Sequence, residues 1–403
     1  MKAMSDHDNG IDAAEAAARL GVKRQTLYAY VSRGLIGRTV SSDGHTSLFD
    51  PAEVARLADQ RRPGSRGELR TIMSTSITNV GRDSLVVRGY DLIHLVNTGA
   101  RFTEVVNLLW ESTDQGWPSV SLEPAILQLA SSAARHSPFD GLRMLAANAS
   151  ASDPLRHDLS PNSIRSAGRR LIVSFATGLG GEPTVTPESE TAMVAGALWQ
   201  ALSPIRDPDP QMVDALDTAL ALMADHGLAS STFAARVAAS VRADPYSVVS
   251  AGLGALSGPL HGQAGAAVHH LWGEATGPAS PTAIHLVGEA YRRDSIVPGF
   301  GHSVYRHGDP RFEPLMAAVN QAWPDNDLVE LVSDVTDLVK QRSGIEPNVD
   351  LALGTLAFLA NMPPSACEVI FAVARTAGWL AHAMEEYKER PLRFRTQARY
   401  VGP

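Results

Sequence analysis

The sequence predicts a mainly α protein of two or three domains, and three observations carry that expectation. The 403 residues are 44% hydrophobic and 19% charged, the balance of a globular chain long enough to bury a sizeable core. From residue 72 onward, apolar residues recur at intervals of three and four, the period of an amphipathic helix, with Gly and Pro breaks between the runs. No strand–helix–strand rhythm and no internal repeat is found among them.

Residues 11–62 differ in texture from the rest. DAAEAAARLGVKRQTLYAYVSRGLIG reads as an Ala-rich helix, a turn at Gly21, and a second helix. Lys23 and Arg24 open that helix, which runs through Leu27, Tyr28 and Val31 to Gly34. RTVSSDGHTSLF alternates about a Ser-Asp-Gly turn, as a β-hairpin does. DPAEVARLADQRR sets Asp50 as N-cap and Pro51 at the first helical position, where a missing N–H is no loss. This order of helix-turn-helix, hairpin wing and helix resembles the MerR/excisionase-type winged helix. Residues 11–70 hold ten Lys/Arg against seven Asp/Glu, in a chain of net charge −8. The resemblance therefore implies either a DNA-binding face, with Lys23, Arg24 and Arg33 as contacts, or a docking or dimerisation module. RRPGSRGELR (61–70) reads as a linker.

Further along, FTEVVNLLWES, PAILQLASSAARH, TAMVAGALWQALS and PQMVDALDTALALMADHG read as helices, and SLVVRGY (84–90) as a short β segment. A single cysteine, Cys367, excludes an intramolecular disulfide and any Cys-rich metal site. The first residues carry no apolar leader, and no run of 18 uncharged apolar residues exists to span a membrane. A soluble cytoplasmic protein is expected, with no membrane partner. GLGALSG (252–258) lacks the GxGxxG spacing and a preceding strand, so it is not a dinucleotide loop. HHLW (269–272) and the pair His302/His307 lack HExxH form, so no metal site and no cofactor are expected.

Five stretches carry more chemistry. SGPLHGQAGAAVHHLW places His261 between a Gly-Pro turn and a helical run, where the positive end of the helix dipole favours neutral imidazole; it is either an N-capping residue or a hydrogen-bond donor to a developing oxyanion. EPNVDLALGTLAFLANM puts Asp350 at the mouth of an uncharged run, as either a simple N-cap or a desolvated general base. In CEVIFAVARTAGWLAHAMEEY, Cys367, Phe371, Arg375 and Trp379 recur every four residues. Arg375 thus lies on the apolar stripe and needs an anion, either a structural carboxylate or a ligand. DHGLASSTFAARV holds His226 where a helix gives way to Gly. VPGFGHSVYRHGDPRF (297–312), broken by Gly and Pro, fixes imidazole and guanidinium groups on a stiff loop.

Together these stretches resemble the citrate synthase family over nearly all of residues 72–403. TSITNVGRDSLVVRGYDLIHLVNTGARFTEVVNLLW is similar to its N-terminal segment. DHGLASSTFAARV, GPLHG, PGFGHSVYRHGDPR, NVD, FAVARTAGW and RFRTQARYVG follow in the family's order. The resemblance implies a citrate synthase fold with large and small helical domains, preceded by the small winged-helix domain. The divisions it implies are 1–66 for the winged helix and linker, 67–262 plus 362–403 for the large domain, and 263–361 for the small one. It implies condensation of oxaloacetate with acetyl-CoA, or with propionyl-CoA to give 2-methylcitrate, the acyl-CoA being a substrate and not a cofactor. A metabolite-sensing DNA-binding regulator on the same fold is the other reading. His261 matches the histidine bonded to the thioester carbonyl, Asp350 the base at the acyl α-carbon, and His302 the histidine on the ketone. His226, Arg311 and Arg375 match residues that hold oxaloacetate. Arg395 matches an arginine supplied across a homodimer interface. Arg306, Phe371, Val297 and Gly299 fall where CoA or its acyl group binds. Gln263, Gly265 and Ala266 depart from the usual HGGANE, and Gln397 from a basic tail residue. These departures bear on CoA affinity and acyl preference.

Overall fold

A computed structural model describes residues 11–20, 22–32, 36–41, 46–51, 53–54, 72–114, 116–118, 122–180, 192–258, 260–276, 282–294, 296–305, 307–395, 400 and 402. The chain divides into two compact units, Met1–Ser74 and Thr75–Pro403.

In the first unit, Asp12 ends strand β1 (Ile11–Asp12) and caps the helix Ala13–Arg19, accepting from the amides of Ala14 and Glu15 at 2.8 Å each. The helix Arg24–Ser32 follows. Strands β2 (Thr39–Val40) and β3 (Ser47–Phe49) form the expected antiparallel hairpin, and β1 pairs with the other edge of β3. At two residues β1 is too short for any periodicity to reveal. Ala16, Ala17, Leu20, Leu27, Tyr30, Ile36, Phe49 and Val54 make a separate small core. Lys23 and Arg24 are exposed. Arg33, Gly21, the expected hairpin turn 42–44, residues 55–60 of the helix expected from Pro51 and the expected linker 61–70 lie outside the described residues.

The second unit opens with a three-stranded antiparallel sheet, β4 (Thr78–Val80), β5 (Leu85–Val87) and β6 (Tyr90–Asp91), with β5 in the middle. The four helices expected from apolar spacing are present as Phe102–Trp110, Pro124–Ala134, Met193–Leu202 and Pro210–Met223. Pro138–Ser152, Pro161–Thr177 and Pro245–Leu256 also begin on proline.

The helix Ala366–Glu386 lies at the centre, with every residue but Glu385 buried. Arg375 therefore sits not on one apolar stripe but on a helix with no solvated face. Helices Phe102–Trp110, Pro161–Thr177, Pro210–Met223, Ser230–Ser240 and Pro245–Leu256 pack around it. Gly378 permits a close approach of the segment that follows Pro210–Met223. Its amide donates to the Ala224 carbonyl at 3.1 Å, and a Cβ there would lie 2.3 Å from Asp225 Oδ1. Trp110 Nε1 donates to the Ala377 carbonyl at 2.9 Å, satisfying a buried polar tip inside the core.

A second group comprises Ala264–Ala275, Ala283–Asp294, Phe312–Ala322, Asp327–Ser343 and Val349–Leu359. Val349–Leu359 is its hub, packed against Ala264–Ala275 and Phe312–Ala322. The loop 297–305 is pinned to the segment before this hub like an edge strand. Phe300 bridges Pro347, Gly301 N donates to the Glu346 carbonyl at 2.8 Å, and Asn348 N donates to the Gly299 carbonyl at 2.9 Å. Gly299 has φ +83°, and a Cβ on it would fall 2.8 Å from the Cβ of Leu351, so only glycine lets the loop lie this close. No described helix is long and apolar enough to cross a membrane.

Candidate active site

His226, His261, His302, Arg311, Asp350, Phe371 and Arg375 line one cleft of about 670 Å³. They come from six separate chain segments. His226 follows the helix Pro210–Met223, at a turn closed by Gly227 with φ +62°. His261 lies in the turn between Pro245–Leu256 and Ala264–Ala275, with Leu260, Ala264 and Ala229 completing that wall. His302 sits on the pinned loop and Arg311 at the start of Phe312–Ala322. Asp350 is in the first turn of Val349–Leu359, and Phe371 and Arg375 are on the central helix.

The local alternatives left by the sequence are resolved here. The N-cap of Val349–Leu359 is Asn348, whose Oδ1 accepts from the Asp350 amide at 3.0 Å while its Nδ2 donates to the Gly301 carbonyl at 2.7 Å. The Asp350 carboxylate is therefore not spent on capping. Burial pushes its pKa up to about 6 against the opposing pull of Arg311. His261 is not a cap either, since Gln263 holds that position. Its pKa is lowered by burial first and Arg375 second, both of which favour the neutral ring.

The two arginines have opposite surroundings. Asp309 grips Arg311, accepting from Nε at 2.9 Å and Nη2 at 2.8 Å. Although burial opposes it, this pairing raises the Arg311 pKa. Asp309 Oδ2 also accepts from the Val349 amide at 3.1 Å. Arg375 donates Nε to the Met223 carbonyl at 2.9 Å and lies over the Phe371 ring at 4.5 Å. It makes no ion pair among the described residues, its buried Nη1 has no hydrogen-bond partner, and burial lowers its pKa to about 10. No carboxylate stands within ion-pair distance of Arg375 among the described residues, and buried Asp225 favours its charge only from further off.

The three imidazoles are all driven toward the neutral form. His302 Nδ1 accepts from the amides of Val304 (3.1 Å) and Tyr305 (3.2 Å), which leaves the proton of the neutral ring on Nε2. Burial and then Arg311 lower its pKa. His226 is lowered by burial, Arg311 and Arg375, and its Nε2 lies 2.9 Å from the Tyr305 hydroxyl. Ser231 Oγ lies 2.8 Å from His261 Nε2.

Ser231, Tyr305, Asp309 and Asn348 escaped the sequence reading. Asn348 and Asp309 had signals: Asn just before a helix, and an Asx-type turn ahead of Arg311. Ser231 and Tyr305 had none. Val297 and Gly299 do not join the cleft wall, because Val297 is packed in the main core and Gly299 lies against Leu351. Arg395 is exposed on the segment after the central helix and is not part of this wall. Arg306 lies outside the described residues. His269, set aside as a metal ligand, has its Nε2 2.9 Å from the Met362 carbonyl. No cluster of three or more potential metal ligands occurs among the described residues.

A carboxyl group titrating at about 6, imidazoles driven toward the neutral form and a buried guanidinium in one cleft form a site suited to proton transfer beside an anion. The model of the family described as "Citrate synthase, C-terminal domain" matches residues 68–396. The chain is 30% identical to a citrate synthase of Haloferax volcanii over 86% of this chain and 97% of that protein. It is 28% identical to 2-methylcitrate synthase 1 of Corynebacterium glutamicum over 83% and 93% of the two chains. Its fold matches that of a Pyrobaculum aerophilum citrate synthase with a TM-score of 0.68, at 25% identity, over 91% and 95% of the chains. The chain belongs to the citrate synthase family and is an enzyme of the citrate synthase type.

Proposed function

We propose that the protein condenses oxaloacetate with acetyl-CoA and water to give citrate and free CoA. Thioester α-hydrogens are very weak acids, so a carboxylate alone does not produce a free enolate. Asp350 removes the α-proton while His261 donates a hydrogen bond to the thioester oxygen, so that charge is spread as it develops. With the Ser231 hydroxyl donating to His261 Nε2, the proton of that neutral ring is on Nδ1. The enol carbon attacks the oxaloacetate ketone, whose oxygen accepts from His302 Nε2–H. Water then cleaves the citryl thioester, releasing the CoA thiol. Arg311, Arg375 and His226 hold the substrate carboxylates, guanidinium being suited to bidentate grip.

The observation that carries this reading is the unpaired, buried Arg375 facing the same cleft as Asp350. A buried charge without an ion-pair partner costs on the order of several kcal/mol; Asp225 offsets part of that from a distance, and a dianionic substrate offsets the rest. Phe371 lines the acyl side, its ring 5.6 Å from that of His261. Two lobes closing over the substrate, 67–262 plus 362–403 against 263–361, would exclude water until condensation is complete. In a homodimer, Arg395 of each subunit would complete the other's cleft. Propionyl-CoA is the second reading, favoured by the 2-methylcitrate synthase relatives and by the small Ala229 and Ala264 in the wall. One methylene is weakly discriminated by such a pocket. The first unit is a winged helix-turn-helix module on this reading, with Lys23 and Arg24 directed to DNA phosphates. Thiol release from acetyl-, propionyl- and butyryl-CoA with oxaloacetate tests the function. Activity with acetyl-CoA is expected, and no release from any donor overturns it.

A further inference from the structure

We propose that Arg393 is a positioning residue which, through a buried chain of charged and polar side chains, couples the seat of the C-terminal tail to the Asp225–His226 turn of the cleft. The inference deepens the proposed function, because it concerns the wall assigned to oxaloacetate.

The chain of contacts is continuous. Arg393 donates Nε to Glu386 Oε1 and Nη2 to Glu386 Oε2, both at 2.6 Å. Glu386 Oε2 accepts from Arg236 Nε at 2.9 Å, and Arg236 Nη1 donates to Glu385 Oε2 at 2.6 Å. The same Nη1 lies 3.1 Å from His382 Nδ1. Arginine only donates, so Nδ1 accepts and His382 keeps its proton on Nε2. That nitrogen lies 3.4 Å from Asp225 Oδ2, which also accepts from the Gly227 amide at 3.0 Å. Asp225 and Gly227 flank His226.

Asp225, Arg236, His382 and Glu386 are all 0% exposed. Replacing buried ionic groups by well-packed apolar ones is often neutral or stabilising. The ionic chain therefore calls for a reason beyond packing, and its two ends supply one. At one end, Asp225 is a neighbouring anion that favours the charge on Arg375. At the other, Arg393 stands two residues before Arg395. Beyond the central helix, Leu392 takes a left-handed φ of +59° and donates its amide to the Ser240 carbonyl at 2.9 Å. Phe394 packs on Phe233 at 5.5 Å. A non-glycine residue in that conformation persists only where its surroundings hold it, and the double grip of Arg393 on Glu386 does so. The helix Ser230–Ser240 spans both ends, since Ser231 touches His261 and Arg236 touches Glu386.

The test compares the full-length chain with Arg393→Gln, Arg393→Lys, Arg395→Gln and the double variant Arg393→Gln/Arg395→Gln. Two readouts are needed: amide hydrogen exchange by peptide, and thiol-release kinetics. Arg393→Gln is expected to speed exchange in residues 225–231 together with 387–395, leaving the helix Asp327–Ser343 as it is in the parent. It should raise KM for oxaloacetate about 10-fold and leave KM for the acyl-CoA unchanged, with Arg393→Lys recovering part of the loss. In the Arg395→Gln background, adding Arg393→Gln should cost less than it does alone, since the two share a pathway. Unchanged exchange at 225–231, a rise spread evenly over the whole chain, or fully additive losses would overturn the proposal. Exchange requires no turnover. A parent chain that releases no thiol defeats the functional reading, while the exchange result alone still decides the coupling.

Discussion

Asp350 and Arg375 carry charge where burial works against it, and each exposes a conflict between stability and the proposed chemistry. The Asp350 pKa in the folded protein is about 6, above an unfolded value of about 4. Between those values the folded state binds the proton more tightly, so stability falls as pH rises through that window, and the penalty is complete above it. Asp350→Asn is therefore expected to raise stability at pH 8 by on the order of 1–3 kcal/mol and to give no gain below about pH 4. The same substitution should lower turnover by about 10²–10⁴-fold with oxaloacetate binding retained. Parent turnover should climb with pH through about 6, as the base ionises. Thermal melts at the two pH values and a pH–rate profile check these outcomes; a variant less stable at pH 8 than its parent would refute the desolvated base. The arginines separate in the same way. Arg375→Met removes a cation with no carboxylate at ion-pair distance, so it should cost much less stability than loss of Arg311 while oxaloacetate affinity collapses. Arg311→Met strands the buried Asp309, and a loss of about 3–5 kcal/mol is expected. Denaturant unfolding of both variants decides this, and equal destabilisation would contradict the difference in pairing.

At the scale of elements, the loop 297–305 depends on glycine where it crosses the hub helix. Gly299→Ala adds a Cβ 2.8 Å from that of Leu351 at φ +83°, so the loop must lift and carry His302 with it. A destabilisation of about 1–3 kcal/mol is expected, with turnover falling further than oxaloacetate affinity; parent-like turnover would show that the ring position tolerates the shift. The Gly-Pro texture of this loop was legible in the sequence, but its anchor was not, because the Gly301–Glu346 and Asn348–Gly299 contacts join segments over forty residues apart. Long helices such as Pro210–Met223 were legible from their apolar spacing. The central helix was legible as a helix but misread as one-sided, since an almost fully buried helix gives no polar face to define a stripe. Strands β1 and β6, at two residues each, fall below any periodicity. Among site residues, those with unusual chemistry for their setting stood out: Asp350 beside an apolar run and Arg375 within one. Ser231 and Tyr305 did not, because a serine or tyrosine gains its role only from the side chain that folding brings opposite.

For the whole molecule, a net charge of −8 disfavours general attraction to nucleic acid, so any DNA binding has to come from a local patch. The first unit has the parts for one. Lys23 and Arg24 are exposed at the start of the helix Arg24–Ser32, Tyr28 on the same helix is 39% exposed, and Arg38 lies 6.0 Å from its ring centre. None of the three cations belongs to the small core that Leu27 and Phe49 help to fill, so alanine at Lys23 or Arg24 should leave folding unaffected. If these residues meet phosphates, each substitution weakens binding to all sequences alike and reduces the slope of log affinity against log salt by about 1. Titration of the parent, Lys23→Ala and Arg24→Ala against duplex DNA at several salt concentrations measures that slope. Thiol release should be unaltered in both variants, since neither residue lines the cleft. A parent that binds no duplex even at low salt would instead make the first unit a docking or dimerisation module, and a loss of affinity with the slope unchanged would rule out phosphate contact by these two side chains.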